Sequence, residues 1–439
     1  MNRPIAKPFT LPCGLTVPNR LVKAAMSEGI ADRYNCPTER HVRLYGRWAK
    51  GGIGLQLTGN VQVDRDHLER PGNVVIDEHT NVEDRAMLER WARSAKVCGS
   101  KIIMQISHAG RQTPSYVNET PGAPSAVEMA MPGGMFGAPR EMSHAEIERA
   151  ISGYREAARV AAETGFDGVQ VHGAHGYLVS QFLSPRTNKR NDQWGGTLEN
   201  RARFLLATLS ACKEVAPPGF AVGVKLNSSD FQKGGFTHDD CLAVIDFLNA
   251  LGIDFVEISG GNYEQPALGG IEGAEPSYEE AKLAASTRAR EAYFASYARS
   301  VQAKAKMPLL VTGGFRNVAS MDATVEAGDA DLIGIGRPLC GDPDLPLRLL
   351  SGEAVSAPVW EKKLSIGPGR LLGPNSPINL IKGINSFGQL GWFSLQIQEL
   401  ADGRNPDLAL GVLSAFRRYR KREISAAHAL LDIRKPSSP

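Results

Sequence analysis

"DGVQVHGAHGYL", residues 167–178, is the stretch on which the fold turns. It starts as a short apolar, β-branched run. At its end stand two histidines three apart, His172 and His175, followed by Tyr177 in a glycine-rich turn. A buried strand that finishes on hydrogen-bonding side chains, with a helical pattern after it, is one unit of a parallel sheet.

The unit recurs. Strand runs read as "LVKAAM" (21–26), "IGLQLTG" (53–59), "KIIMQISH" (101–108), "DGVQVHG" (167–173), "AVGVKLN" (221–227), "DFVEISG" (254–260), "PLLVTGG" (308–314) and "DLIGIG" (331–336). Helical stretches lie between them, several ending in Gly just before the next strand, as a helix C-cap should. Strands alternating with helices imply parallel strands joined by crossovers. Eight such units suit a (β/α)₈ TIM barrel. A doubly wound sheet would want a Gly-rich turn after its first strand, and here that strand runs into "SEGIADRYN".

Two regions stand outside the repeat. Residues 109–142, rich in Pro, Gly and Met, form a long insertion after the third strand, expected to be a lid or substrate wall. A second loop, 261–282, should flank the same mouth. Residues 1–351 are read as the barrel and 352–439 as a C-terminal extension packed on it. Within the extension, 367–391 read as turn-rich and 392–434 as mostly helical. The basic run "RRYRKRE" (417–423) is read as a solvated helix face.

Composition narrows the function. Of 439 residues, 42% are hydrophobic and 22% charged, the balance of a globular protein. With 50 basic and 47 acidic side chains the net charge is +3, too even for nucleic acid or an anionic membrane as main partner. Six scattered cysteines without a Cys-x-x-Cys pair argue against zinc ribbons and iron–sulfur clusters, and suit a reducing compartment. The start "MNRPIAKPFT" has no apolar signal core, so a cytoplasmic enzyme is expected, acting on a small molecule; homo-oligomerisation is left open.

A barrel of this kind places its active site at the C-terminal strand ends. Those ends hold Met26, Ser27, Gly59, Gln105, His108, His172, His175, Lys225, Ser259, Gly313, Gly314, Gly336 and Arg337. Carboxylates are few there, because Asp167 and Asp254 begin strands and face the other end. That disfavours paired-carboxylate hydrolysis and a hard-metal site. "TGGF" and "GIGR", closing the last two strands, bring backbone N–H groups and an arginine where barrels commonly hold a phosphate. As metal ligands, His172 and His175 would need a third ligand and an open position, and their spacing is not the i, i+4 pair of zincins; no metal is expected. The remaining reading is a pair of neutral donors aimed at an oxygen, with Tyr177 available as proton donor.

The stretch "VQVHGAHGYLVSQFLSPRTNKRNDQWGGTLENRARF" (169–204) closely resembles the Old Yellow Enzyme family of FMN-dependent oxidoreductases. The likeness extends to "NRLVKAAMSEG" (19–29), "QISHAGR" (105–111), "VTGGF" (311–315) and "DLIGIGRPL" (331–339), essentially the whole barrel. With Trp194 in "NDQWGG" it looks most like the bacterial branch containing the barrel domain of 2,4-dienoyl-CoA reductase. The resemblance implies FMN across the strand ends, with NADH or NADPH as reductant. Backbone groups around Ala25, Met26 and Gly59 would then contact the isoalloxazine, with Ser27 near its O4. Gln105 would bond the pyrimidine edge and Lys225 face N1/O2, while Gly313, Gly314, Gly336 and Arg337 hold the phosphate. His172 and His175 would grip a carbonyl or nitro oxygen of an activated alkene, and Tyr177 supply the proton. Ser27 stands where many members carry Thr or Cys, and Lys225 where most carry Arg. The same family admits amine dehydrogenases and NADH oxidases as alternatives. A flavin-free phosphate-binding barrel, with Lys225 as a Schiff-base lysine, is the alternative from another class.

Overall fold

Val, Ile and Leu dominate the strand runs because these strands are covered on both sides, by helices outside and packed side chains within. A computed structural model describes residues 3–129, 134–259, 297–374 and 376–434. The expected mouth loop 261–282, and most of the helical stretch expected after it, lie outside the described residues.

Among the described residues, eight parallel strands close on themselves. They are β1 (Leu21–Lys23), β2 (Leu55–Leu57), β3 (Lys101–Ser107), β4 (Gly168–Gly173), β5 (Ala221–Asn227), β6 (Phe255–Ser259), β7 (Leu309–Thr312) and β8 (Leu332–Ile335). Each pairs with the next, and β8 returns to β1. This is the expected TIM barrel, with each strand run found where the sequence places it. At the lower rim, strand-starting acids cap the neighbouring strand. The carboxylates of Asp167, Asp254 and Asp331 accept from the amides of Ile102 (2.9 Å), Val222 (2.7 Å) and Leu309 (2.9 Å). An N-terminal hairpin, Phe9–Thr10 with Thr16–Val17, closes that end. Its Leu11, Leu15 and Val17 pack with Val22, Leu57, Ile103, Phe255 and Leu332. The interior is therefore apolar below, and polar groups collect above.

Helices α1 (Glu39–Lys50), α2 (Val82–Ala95), α3 (His144–Glu163), α4 (Leu178–Leu183), α5 (Leu198–Glu214), α6 (His238–Leu251), α7 (Val318–Glu326), α8 (Pro338–Gly341) and α9 (Leu345–Ser351) surround the strands. Four of them start in reciprocal capping boxes, at Thr38, Asn81, Ser143 and Thr237. The described part of the 109–142 insertion is anchored. Arg111 donates to the carbonyls of Val127 and Glu128, and the pair 122–123 lies beside 140–141.

The extension differs from expectation in one respect. Residues 379–391, read as turn-rich from their glycines, are the first half of α10 (Asn379–Ala401), which packs side by side with α11 (Val412–Arg434), the two helices running in the same direction. The glycines serve contact rather than turning. A Cβ at Gly388 would lie 2.5 Å from Val412, and one at Gly391 would lie 2.7 Å from Tyr419. Removing the side chain lets the two helices approach, at a propensity cost of about 1 kcal/mol each relative to Ala. Arg40 pairs with Asp402 at 2.7 Å and Arg43 donates to the Ala401 carbonyl, joining α10 to α1.

Candidate active site

The polar strand ends converge on one cleft of about 400 Å³, open to solvent. It is lined by Ala25, Met26, Ser27, Asn60, Glu69, Gln105, His172, His175, Tyr177 and Lys225. Seven of these, drawn from four separate segments of the sequence, were singled out by their positions after apolar runs or in the turn that follows β4; Ala25 came from the family resemblance. Asn60 and Glu69 were not.

His172 ends β4 and His175 sits in the turn beyond it with φ +60°, a conformation that costs a non-glycine residue and is held by its surroundings. Its amide donates to Asn227 Oδ1 (3.2 Å) and its carbonyl accepts from Gln112 Nε2 (2.8 Å). His175 Nε2 lies 2.8 Å from Ser259 Oγ. His172 Nδ1 accepts from the Ala174 amide at 3.3 Å, which assigns the ring proton to Nε2. Burial, and then the ammonium of Lys225, pushes both imidazoles well below their ordinary pKa; for His175 the His172 ring adds to the effect. Both are therefore neutral at pH 7. Tyr177, almost fully buried ahead of α4, packs edge-on against His172 with ring centroids 4.7 Å apart.

Beneath them runs a buried chain of hydrogen bonds. The register sets Lys225 opposite both His172 and Glu257, and Gln105 opposite Gln170. Lys225 Nζ donates to Glu257 Oε1 (2.9 Å), Gln170 Nε2 to Glu257 Oε2 (2.8 Å), and Gln105 Nε2 to Gln170 Oε1 (2.7 Å). Burying a charge is tolerable only with such pairing. A second buried group stands behind β2. The Gly59 amide donates to Glu28 Oε1 at 2.9 Å, and Glu28 also accepts from Tyr45. Lys23 bonds the Leu57 carbonyl at 2.6 Å, and burial lowers its pKa to about 8. Glycine is required at position 59 by this packing, since a Cβ there would meet Glu28 at 2.1 Å and the Met26 carbonyl at 2.5 Å. At the rim, Ser27 Oγ donates to Glu69, as does Asn60 Nδ2.

Across the barrel top, Gly313 (φ +108°) and Gly314 (φ +82°) follow β7 in conformations that only glycine adopts readily. A Cβ on Gly313 would meet nothing within 4 Å, so the backbone there faces open space. Arg337 follows β8, 3.6 Å from Glu361, which also binds Arg316 at 2.8 Å.

Residues 4–355 match the model of the NADH:flavin oxidoreductase / NADH oxidase family. An NADH-dependent flavin oxidoreductase of Neonectria sp. is 41% identical over 77% of the chain, which spans 46% of that relative. Its counterpart in Hypocrea jecorina is 39% identical over 79% of the chain and 89% of its own length. Among solved structures, the Old Yellow Enzyme homologue of Zymomonas mobilis superposes with a TM-score of 0.65 at 25% identity, over 81% of this chain and 94% of that one. The chain belongs to the NADH:flavin oxidoreductase / NADH oxidase family. This is the Old Yellow Enzyme class of FMN-dependent oxidoreductases, which use NAD(P)H.

The donor set fits the family's FMN. Gln105 and Lys225 offer donors in the cleft, Gly313 leaves backbone facing open space, and Arg337 and Arg316 follow the last two strands as cations. Gln105, His172, His175, Tyr177 and Lys225 are brought together on one cleft; Gly313, Gly314, Gly336 and Arg337 lie at the neighbouring strand ends. Glu257 was visible as an acid inside a strand, but its partner follows only from the register. Glu69 lies in a polar loop with no periodicity to mark it.

One further cluster has metal-ligand chemistry: Asp64, His67 and His108. His67 Nε2 accepts from the Gly122 amide (2.9 Å), so its proton sits on Nδ1, 2.9 Å from Asp64. His108 Nδ1 accepts from the Gly110 amide (3.1 Å), so its Nε2–H faces the same carboxylate at 3.5 Å. Two N–H groups pointing at the carboxylate make a clamp on the insertion rather than a ligand set.

Proposed function

We propose that the protein is an ene-reductase, taking hydride from NADH through FMN and delivering it to an alkene activated by a carbonyl or nitro group. Bound FMN supplies the hydride that the alkene β-carbon accepts. The chain's own residues do the rest. His172 and His175 donate to the acceptor oxygen and stabilise the charge that builds there. Their neutrality matters, because imidazolium beside Lys225 would be repelled. Tyr177 holds the proton for the α-carbon. Lys225, buried beside His172, keeps positive charge beneath the site, with Glu257 fixing its ammonium. The Glu28–Tyr45–Lys23 group fixes the backbone at Gly59 against movement.

The observation that carries this reading is the convergence of His172, His175 and Tyr177 on the cleft that also contains Gln105 and Lys225. The test is anaerobic and in two halves. NADH should bleach the yellow holoprotein, and 2-cyclohexenone or a nitroalkene should restore the colour. Tyr177→Phe should slow the alkene half by about 10²-fold or more while NADH still bleaches the flavin at a comparable rate. Recolouring by oxygen alone, with no alkene consumed, would make the protein an NADH oxidase instead.

A further inference from the structure

The cleft wall carries a carboxylate that the alkene chemistry does not use. Glu69 lies in the loop after β2, and both of its oxygens are within hydrogen-bond reach of Ser27 Oγ, at 2.9 and 2.8 Å. Asn60 Nδ2 adds a bond of 2.6 Å to Oε2. Two donors from two different strand-end loops hold the group at the lining of the cleft. Its neighbour Arg70 reaches Glu423 and the ring of Tyr419, 5.5 Å away, on α11. Arg70 thus ties this loop to the extension while staying within electrostatic reach of Glu69.

The rest of the lining sharpens the contrast. Among the described lining residues Glu69 is the one acid and Lys225 the one base, and Lys225 is bound to Glu257. The two imidazoles are neutral. A carboxylate oxygen accepts hydrogen bonds and attracts cations, and in a partly desolvated cleft it repels another carboxylate by a large factor.

We propose that Glu69 is a specificity-determining residue that selects substrates bearing an ammonium or other hydrogen-bond-donor group, and rejects alkenes that bear a carboxylate. This rests on the ene-reductase reading: the activating carbonyl sits on His172 and His175 while the donor group reaches Glu69.

The test uses three 2-cyclohexenones that differ in one ring substituent: aminomethyl, ethyl or carboxylate. For holo wild type and Glu69→Gln, two quantities are measured. One is kcat/KM with NADH, and the other is the dissociation constant from flavin absorbance changes without NADH. The wild type should favour the ammonium over the carboxylate compound by tenfold or more. In Glu69→Gln that ratio should fall about tenfold, through KM and Kd rather than kcat, and Glu69→Asp should retain much of it. An unchanged ratio in Glu69→Gln, or a wild type that prefers the carboxylate, would overturn the assignment. The two readings separate cleanly. Turnover with an unchanged ratio sinks only the role of Glu69. Absence of turnover with a charge-dependent Kd sinks only the alkene reduction.

Discussion

At the scale of single residues, the cleft balances charges that neither burial nor the sequence pattern would favour alone. Lys225 and Glu257 are 5% and 0% exposed, and each makes the other affordable. Removing one partner strands the other in a low-dielectric interior, which costs about 3–5 kcal/mol. Lys225→Met should therefore lower the unfolding free energy by roughly that amount in a denaturant titration. The double variant Lys225→Met/Glu257→Gln should recover a good part of it. If the double variant is as unstable as the sum of the singles, the ion pair is not the reason. The same pair marks what could be read from sequence. Lys225 was legible because it stands near the end of an apolar run, where a barrel puts its site. Glu257 was not, because an acid in mid-strand acquires meaning only once β5 and β6 are in register. Asn60 and Glu69 escaped for another reason: loops after strands have no period from which direction can be inferred.

At the scale of elements, the helices announced themselves by their caps and the strands by their β-branched runs. The insertion after β3 could be outlined but not placed. What places it is the Asp64–His67–His108 clamp, which spends two imidazoles on the amides of Gly110 and Gly122. Burial pushes Asp64 up, but hydrogen bonds from His108 and His67 outweigh it and hold the carboxyl well below the usual range. Burial, helped by His67, lowers His108 to about 4. His41, buried between α1 and α2, is lowered by burial to about 3. The consequence has a definite sign. Unfolded histidine takes up a proton near pH 6.5, whereas these folded ones do so only near 4 or below, so in between the unfolded state binds more protons. Stability is complete above about pH 6.5 and declines as the pH falls toward 4, with His108 alone contributing on the order of 2–3 kcal/mol. Unfolding free energy measured from pH 7.5 to 4.5 should fall steadily, and His108→Gln should flatten part of the slope. A flat profile for the wild type would contradict neutral, buried histidines.

At the scale of the whole molecule, the extension is bound to the wall of the cleft and is more than a cover for the barrel's side. Leu430 of α11 packs with Leu68, Val75 and Val117, bridging the loop after β2 and the insertion after β3. Glu423 and Tyr419 hold Arg70, next to Glu69. In the run 417–423, expected to be a solvated face, Arg417, Arg418, Arg420 and Lys421 are exposed. Tyr419 and Glu423 face the protein instead, because a helix presents every third or fourth residue to the same side, and Arg422, itself exposed, reaches back to Gln398. Glu423→Ala removes the carboxylate that draws Arg70 outward. Losing a charged hydrogen bond of this partly buried kind should cost about 1–2 kcal/mol in unfolding free energy. Glu69, which already acts on the guanidinium, remains as its partner in the adjoining position. With Arg70 turned toward it, the cleft carboxylate should discriminate less, so the ammonium-to-carboxylate ratio of kcat/KM should drop severalfold although the substitution lies on a helix outside the barrel. Circular dichroism at increasing denaturant reads the first effect and the substrate pair reads the second. If stability falls while the ratio holds, α11 props the wall without influencing its charge.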